Sequence, residues 1–278
     1  MNRFIKLLNM ELGRTGKMYL SLLGLTFFLQ LVGVLTSSKG YMNNAKRSIY
    51  EEGLSKAEYI NNYGKMSFSN ITDTLWYMGP IALCAAALIF YCFLIWYRDW
   101  YGKNTFIYRL LMLPTSRMNM YIAKASAIFL MVLGLIAFQL ILFPIQDWIF
   151  KGLVPDEFRY PTEIRSVLVG NQIFQLIIPT TFSQFLCSYG LGFMAVLILF
   201  TAILCERSYR LKGVAFGVMY CIASVVIFLS PVLVMEIFHL ENLLYPMEFF
   251  FIHLFLGLLV SAISLLVSNY LINKKITV

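Results

Sequence analysis

Charge is what this chain has least of. Only 13 per cent of its 278 residues are Asp, Glu, Lys or Arg, against about 25 per cent in an ordinary soluble domain. Histidine is almost missing: there are two, His239 and His253. A lone histidine in such apolar surroundings reads as a helix-joining or interfacial residue rather than a ligand, and no Ser/His/Asp grouping or metal-ligand spacing is evident. The five cysteines (Cys84, Cys92, Cys187, Cys205, Cys221) are odd in number, form no Cys-x-x-Cys pair and sit in or at the ends of apolar runs. They read as small packing residues, implying neither disulfides nor metal. A phosphate-binding loop is lacking too. The nearest stretch, Gly13-Arg14-Thr15-Gly16-Lys17-Met18, has neither the glycine-lysine spacing nor the hydroxyl that such a loop needs. The chain has no ATP-binding motif of its own.

Apolar residues fill the space left by these absences. Sixty per cent of the chain is hydrophobic and its mean hydropathy is +0.75, so the composition predicts an all-α integral membrane protein. Apolar runs place six transmembrane helices at about 18–36, 75–97, 121–148, 182–204, 213–236 and 249–271, as a single transmembrane domain over 1–278. Trp76-Tyr77 and Trp96-Tyr97 stand 20 residues apart, about 30 Å of helix, which suits one aromatic pair at each face of a bilayer. Pro80 is expected in the first turn of that span, and Pro144 near the far end of the next.

Ahead of the first span, residues 1–17 read as a short amphipathic interfacial helix, with Phe4, Leu8 and Leu12 on one face and Lys6 among the basic residues elsewhere. A signal peptide is the competing reading; the poor cleavage site at 36–39 and the long apolar run favour a retained span. Two longer polar connections, 37–74 and 149–181, are expected outside. The first is too small for a core of its own, though a helix around 45–63 is possible; the second carries an apolar stretch, 167–178, too short and polar to span.

Charge placement sets the expected orientation. With the N-terminus, the 98–124 segment, the 205–212 loop and the C-terminus on one side, that side holds 14 of the 22 basic residues and three of the 14 acids. This side should be cytoplasmic, with both termini inside. The same placement explains the formal charge of +8 without nucleic acid.

The segment 98–120 is too short to cross a bilayer, since its apolar stretch 106–113 makes only about 12 Å of helix. Its residues have an order: Gly102, Thr105, Phe106, Arg109, Leu110 and Leu111, Leu113 with Pro114, Ser116 with Arg117, and later Lys124. This order resembles the cytoplasmic loop of type 2 ATP-binding-cassette exporter permeases, although Lys103 and Asn104 part the Gly and Thr that are usually adjacent there. The resemblance implies a coupling helix between spans two and three, with Gly102, Thr105, Phe106, Arg109, Leu110, Leu111, Pro114, Ser116 and Arg117 as ATPase-coupling residues. It implies a cytosolic ATP-binding-cassette ATPase dimer carrying ATP and Mg on that partner, a second permease subunit, identical or related, and a second ATPase contact at the N-terminal helix.

Two further groups stand out. Gly213, Gly217, Cys221 and Ser224 make a small-residue stripe on the fifth span, suited to close packing within the chain or across a dimer. Gln30, Gln139 and Glu236 are pore-lining candidates; the two glutamines could equally join helices, and Glu236 with Glu248 could be solvated. The reading is thus an exporter subunit in the cell membrane moving an amphipathic or hydrophobic cargo such as a peptide antibiotic, drug or lipid. The alternatives are a non-transporting scaffold, immunity or sensor subunit, and an ion-coupled secondary transporter, which the few intramembrane charges disfavour.

Overall fold

A computed structural model describes residues 3–101, 112, 116–161, 163–209, 211–238 and 245–276. Among these the chain is helical: α1 (Arg3–Tyr50), α2 (Lys56–Tyr63), α3 (Phe68–Thr72), α4 (Leu75–Trp100), α5 (Arg117–Leu153), a 3-10 turn (Asp156–Phe158), α6 (Ile164–Gly170), α7 (Gln172–Ile177), α8 (Phe182–Tyr209), α9 (Leu211–Ile237) and α10 (Pro246–Tyr270), ending in a π-turn (Leu271–Lys275). Six of them, α1, α4, α5, α8, α9 and α10, are long and apolar enough to cross a membrane. In lipid only the helix satisfies every backbone group along a single segment, which is why each apolar run takes that form.

Several boundaries differ from the expectation. The interfacial helix 1–17 and the first span are not separate elements, because α1 runs unbroken for 48 residues. Its buried positions near the start are Leu7, Glu11 and Thr15, whereas Phe4, Leu8 and Leu12 are half-buried and Lys6 is exposed. At its other end Val34, Ser38, Ala45 and Ser48 are buried, so what reads as a polar loop after residue 36 is the amphipathic continuation of the same helix. The helix reaches Tyr50 and a turn through Gly53, whose φ of 70° lies in the left-handed region that glycine enters most readily. Pro80 lies in the second turn of α4, since the helix starts at Leu75.

The described chain forms two compact units. One comprises Thr15–Ala87 and Met131–Thr180. Its core gathers Ala45, Tyr59, Met66, Phe68 and Ile71 from the first polar connection with Phe150, Val154, Phe158, Val167 and Phe174 from the second and its flanks, around Tyr77 and Phe143. Neither connection is large enough for a core; together they make one. The pairing is stitched by backbone bonds, Met66 N–H to the Phe158 carbonyl at 2.9 Å and Tyr160 N–H to the Met66 carbonyl at 3.0 Å. Lys56 and Glu157 add an ion pair at 2.8 Å. Asn171 separates α6 from α7: its Oδ1 accepts from Ile173 N–H at 2.8 Å and its Nδ2 donates to Asp73 at 2.7 Å.

The other unit comprises Met1–Arg14, Leu88–Leu130 and Thr181–Val278. Here α8 is the central helix, with α9 and α10 packed on it around Met194, Ile198 and Val260. The small-residue stripe explains the close approach. A Cβ on Gly213 would fall on the Cys205 carbonyl oxygen and 2.8 Å from the Glu206 Cα; one on Gly217 would sit 2.9 Å from the Ala202 carbonyl oxygen. Cys221 packs against the same apolar cluster and Ser224 is buried. Gly213 and Gly217 therefore pack within the chain, against α8.

Candidate functional site: a buried charge cluster and a closed polar ring

In the second of these units, five charged side chains from three helices converge. Lys124 of α5 is fully buried, and its ammonium donates to Glu11 Oε1 at 2.9 Å, Asp99 Oδ2 at 2.5 Å and the Ile95 carbonyl at 2.8 Å. Three protons meet three acceptors, which is the condition for burying an ammonium without a large penalty. The carboxylates are shared. Glu11 Oε2 accepts from Arg98 at 2.9 Å, and Asp99 Oδ1 accepts from Arg14 at 2.8 Å. Both carboxylates are buried, while the Arg14 and Arg98 side chains keep 28 and 30 per cent of their surface exposed. With two anions against three cations, the group carries one excess positive charge.

Each helix contributes from a defined place. Glu11 and Arg14 lie one turn apart near the start of α1, Arg98 and Asp99 close the last turn of α4, and Lys124 lies two turns into α5. The carbonyl of Ile95 lies in the next-to-last turn of α4, close to the helix end where a cation is favoured. Aromatic side chains wall the cluster: the Lys124 ammonium lies 5.3 Å from the Trp96 ring, and Trp96 packs edge-on against Phe200 beside Tyr121. The aromatic pairs expected at the two membrane faces are accordingly split, since Trp76 is exposed but Tyr77 and Trp96 are fully buried.

The other unit holds a neutral counterpart. Gln30 Nε2 donates to Gln139 Oε1 at 3.1 Å; Gln139 Nε2 donates to the Tyr77 hydroxyl at 3.1 Å; Tyr77 donates to Gln146 Oε1 at 2.6 Å; and Gln146 Nε2 donates back to Gln30 Oε1 at 3.0 Å. The four bonds close a ring in which every member gives one and receives one. Gln30 also donates to the Tyr77 carbonyl at 3.4 Å. All four residues are buried, so Gln30 and Gln139, considered for a pore lining, here join α1, α4 and α5.

The remaining expected residues are placed as follows. Gly102, Thr105, Phe106, Arg109, Leu110, Leu111 and Pro114 lie outside the described residues, as does His239. Ser116 is exposed just before α5. Arg117, one of the expected ATPase-coupling residues, donates to the carbonyls of Ile272 and Ile276. Glu236 is exposed on the last turn of α9, and Glu248 accepts from Tyr245 N–H at 3.0 Å, serving the start of α10. His253 packs on the rings of Phe228 and Phe249. Among the described residues no cluster of His, Cys, Asp and Glu is placed to hold a metal ion.

Sequence reasoning missed Glu11, Asp99 and Lys124 as partners, and Tyr77 and Gln146 as ring members. A signal was present for the first group: isolated charges of opposite sign at the margins of three apolar runs, which are costly near lipid unless they meet. Fold and sites define a multi-pass α-helical membrane protein. The chain matches no family model, no curated protein and no solved structure.

Proposed function

We propose that the chain is the membrane-spanning permease subunit of an ATP-binding-cassette exporter, driven by a separate ATPase chain and moving an amphipathic or hydrophobic cargo out of the cytoplasm. The observation that carries this reading is the charge cluster. Asp99 and Lys124 stand on the two helices that bracket the 102–115 segment, and each bonds directly to the start of α1, Asp99 to Arg14 and Lys124 to Glu11. A push on that segment is thereby delivered to three membrane helices at once, which is what a subunit with no motor of its own requires. On this reading the segment 98–120 docks on the cytosolic ATPase, both termini are cytoplasmic, and the membrane is a bacterial plasma membrane.

The test is Leu110→Glu. Burying one large apolar side chain is worth about 1.5–3 kcal/mol, so charging it should weaken docking by roughly ten- to a hundredfold. The variant should insert normally, lose the co-expressed ATPase in mild detergent, and fail to transport. Normal ATPase binding with normal transport overturns the reading. ATPase binding without cargo-stimulated hydrolysis in the parent chain favours the scaffold or immunity alternative.

A further inference from the structure

The turn that follows α10 is held from several sides. After α10 the backbone widens into the π-turn, closed by Ile276 N–H donating to the Leu271 carbonyl at 3.0 Å. Single π-turns in otherwise α-helical segments recur at functional places, because the extra residue turns carbonyls out of the regular ladder. Two carbonyls of this stretch are taken by one side chain. Arg117 Nη1 donates to the Ile272 oxygen at 2.9 Å and to the Ile276 oxygen at 3.0 Å, across more than 150 residues of sequence. Leu271, Ile272 and Ile276 are buried, and the Lys275 ammonium lies 5.5 Å from the Tyr209 ring at the end of α8.

Arg117 is the first residue of α5, at the far border of the 102–115 segment. A cation at the carbonyl end of a helix is also where the backbone dipoles favour it. We propose that Arg117 and residues 271–276 form a latch that makes the first turn of α5 and the π-turn move as one body. The turn at 271–276 is then a positioning element for the first turn of α5, acting through Arg117. The latch differs from the charge cluster in kind. A guanidinium bonded to neutral carbonyls is held less tightly than one bonded to carboxylates, so this tie is the weaker of the two. The inference does not depend on the exporter reading.

The experiment measures the latch directly. Spin labels are placed at the exposed positions Ser116→Cys and Lys274→Cys, in the full chain with its five native cysteines replaced by serine, and the distance distribution is read by pulsed paramagnetic resonance in nanodiscs. The parent should give one narrow distribution. Arg117→Ala should broaden it at least twofold, and Arg117→Lys, which still offers one cationic donor to both carbonyls, should recover much of the narrowness. A second label pair, Ser183→Cys on α8 and Ile237→Cys on α9, reports the packing of the same unit away from the latch and should not change in Arg117→Ala. An unchanged 116–274 distribution in Arg117→Ala overturns the proposal, since burial alone would then hold the turn. Equal broadening of both pairs also overturns it, because Arg117 would be supporting the whole unit rather than a local tie.

Discussion

The charge cluster and the glutamine–tyrosine ring draw on the same three helices, yet they solve the burial problem by opposite means. The cluster balances full charges, three cations against two anions, and leaves two arginine edges exposed. The ring uses only neutral dipoles and closes on itself. In the first, removing one partner changes the local charge of a buried site; in the second, it leaves one donor and one acceptor without a mate. These losses differ in size. Buried charge left unbalanced costs about 3–5 kcal/mol, whereas an interhelical polar contact in lipid averages about 0.6 kcal/mol and reaches about 1.7. A charged tie fixes position strongly, and a neutral ring fixes register cheaply.

The largest effect should therefore come from Asp99→Asn. It leaves Glu11 alone against three cations and should lower stability by about 3–5 kcal/mol, read as a large drop in the thermal midpoint of the detergent-solubilised protein. Lys124→Met should cost less than Asp99→Asn, although it removes the central donor, because Glu11 and Asp99 then balance Arg14 and Arg98. If the two variants rank the other way, hydrogen-bond geometry rather than charge balance governs the cluster.

Next in size is Gly217→Leu. The added side chain would collide with the α8 backbone at Ala202, and overpacking of this kind costs about 1–3 kcal/mol. The loss should appear as lower thermal stability at every protein concentration. A loss that depends on concentration would mean that the stripe also serves a subunit contact.

Gln139→Leu should be milder, about 1–2 kcal/mol, because the Gln30 amide and the Tyr77 hydroxyl each lose one partner and keep another. A double-mutant cycle of Gln139→Leu with Gln146→Leu sharpens the comparison. Within a closed ring the second loss should add less than the first, while independent contacts would simply sum.

The smallest effect lies in the capping box at the start of α2. Glu58 accepts from Ser55 N–H at 2.8 Å while Ser55 Oγ accepts from Glu58 N–H at 3.2 Å. The Ser55 backbone N–H, and after it the Ser55 hydroxyl, hold the Glu58 carboxyl below its ordinary range. A carboxyl with a depressed folded pKa stabilises fully above its unfolded value, and that stabilisation is lost as pH falls through the folded value. Hydrogen exchange at the Ser55 amide should accordingly quicken once the medium is more acidic than the usual glutamate range, after correction for intrinsic rates. The Glu58→Gln variant should exchange without that pH step.

How much of this was legible in the residues follows from what each signal measures. The six long helices were, because uninterrupted apolar runs have few other solutions in a membrane chain. The true length of α1 was not: beyond residue 36 its buried face is built from Ser38, Ala45 and Ser48 among polar neighbours, and small residues leave no hydrophobic period to detect. The shared core of the two polar connections was hidden for a different reason. Phe68 and Phe150 reveal an apolar role only once their rings meet across more than 80 residues of sequence. Gln30 and Gln139 were recognisable as out of place in apolar spans, but their destination depended on Tyr77 and Gln146, which look unremarkable near the ends of their runs. Lys124 drew notice only through its place after the Ser-Arg pair, and nothing local tied it to Glu11.

The continuity of α1 has a consequence for how such a chain can vary. At about 1.5 Å and 100° per residue, one inserted residue between Thr26 and Gln30 would carry everything beyond it around by more than a quarter turn. Thr26 could then meet Cys84, or Gln30 could meet Gln139, but not both. This part of the helix is a phase-locked ruler whose graduations are Leu22, Thr26, Gln30, Val34 and Ser38, all buried. Only changes of about seven residues, close to two whole turns, would keep the phase, and they would still lengthen the rod by about 10 Å. Length variation between Leu22 and Ser38 should therefore be suppressed, while the turn at Gly53 beyond the rod is the place where the chain can grow.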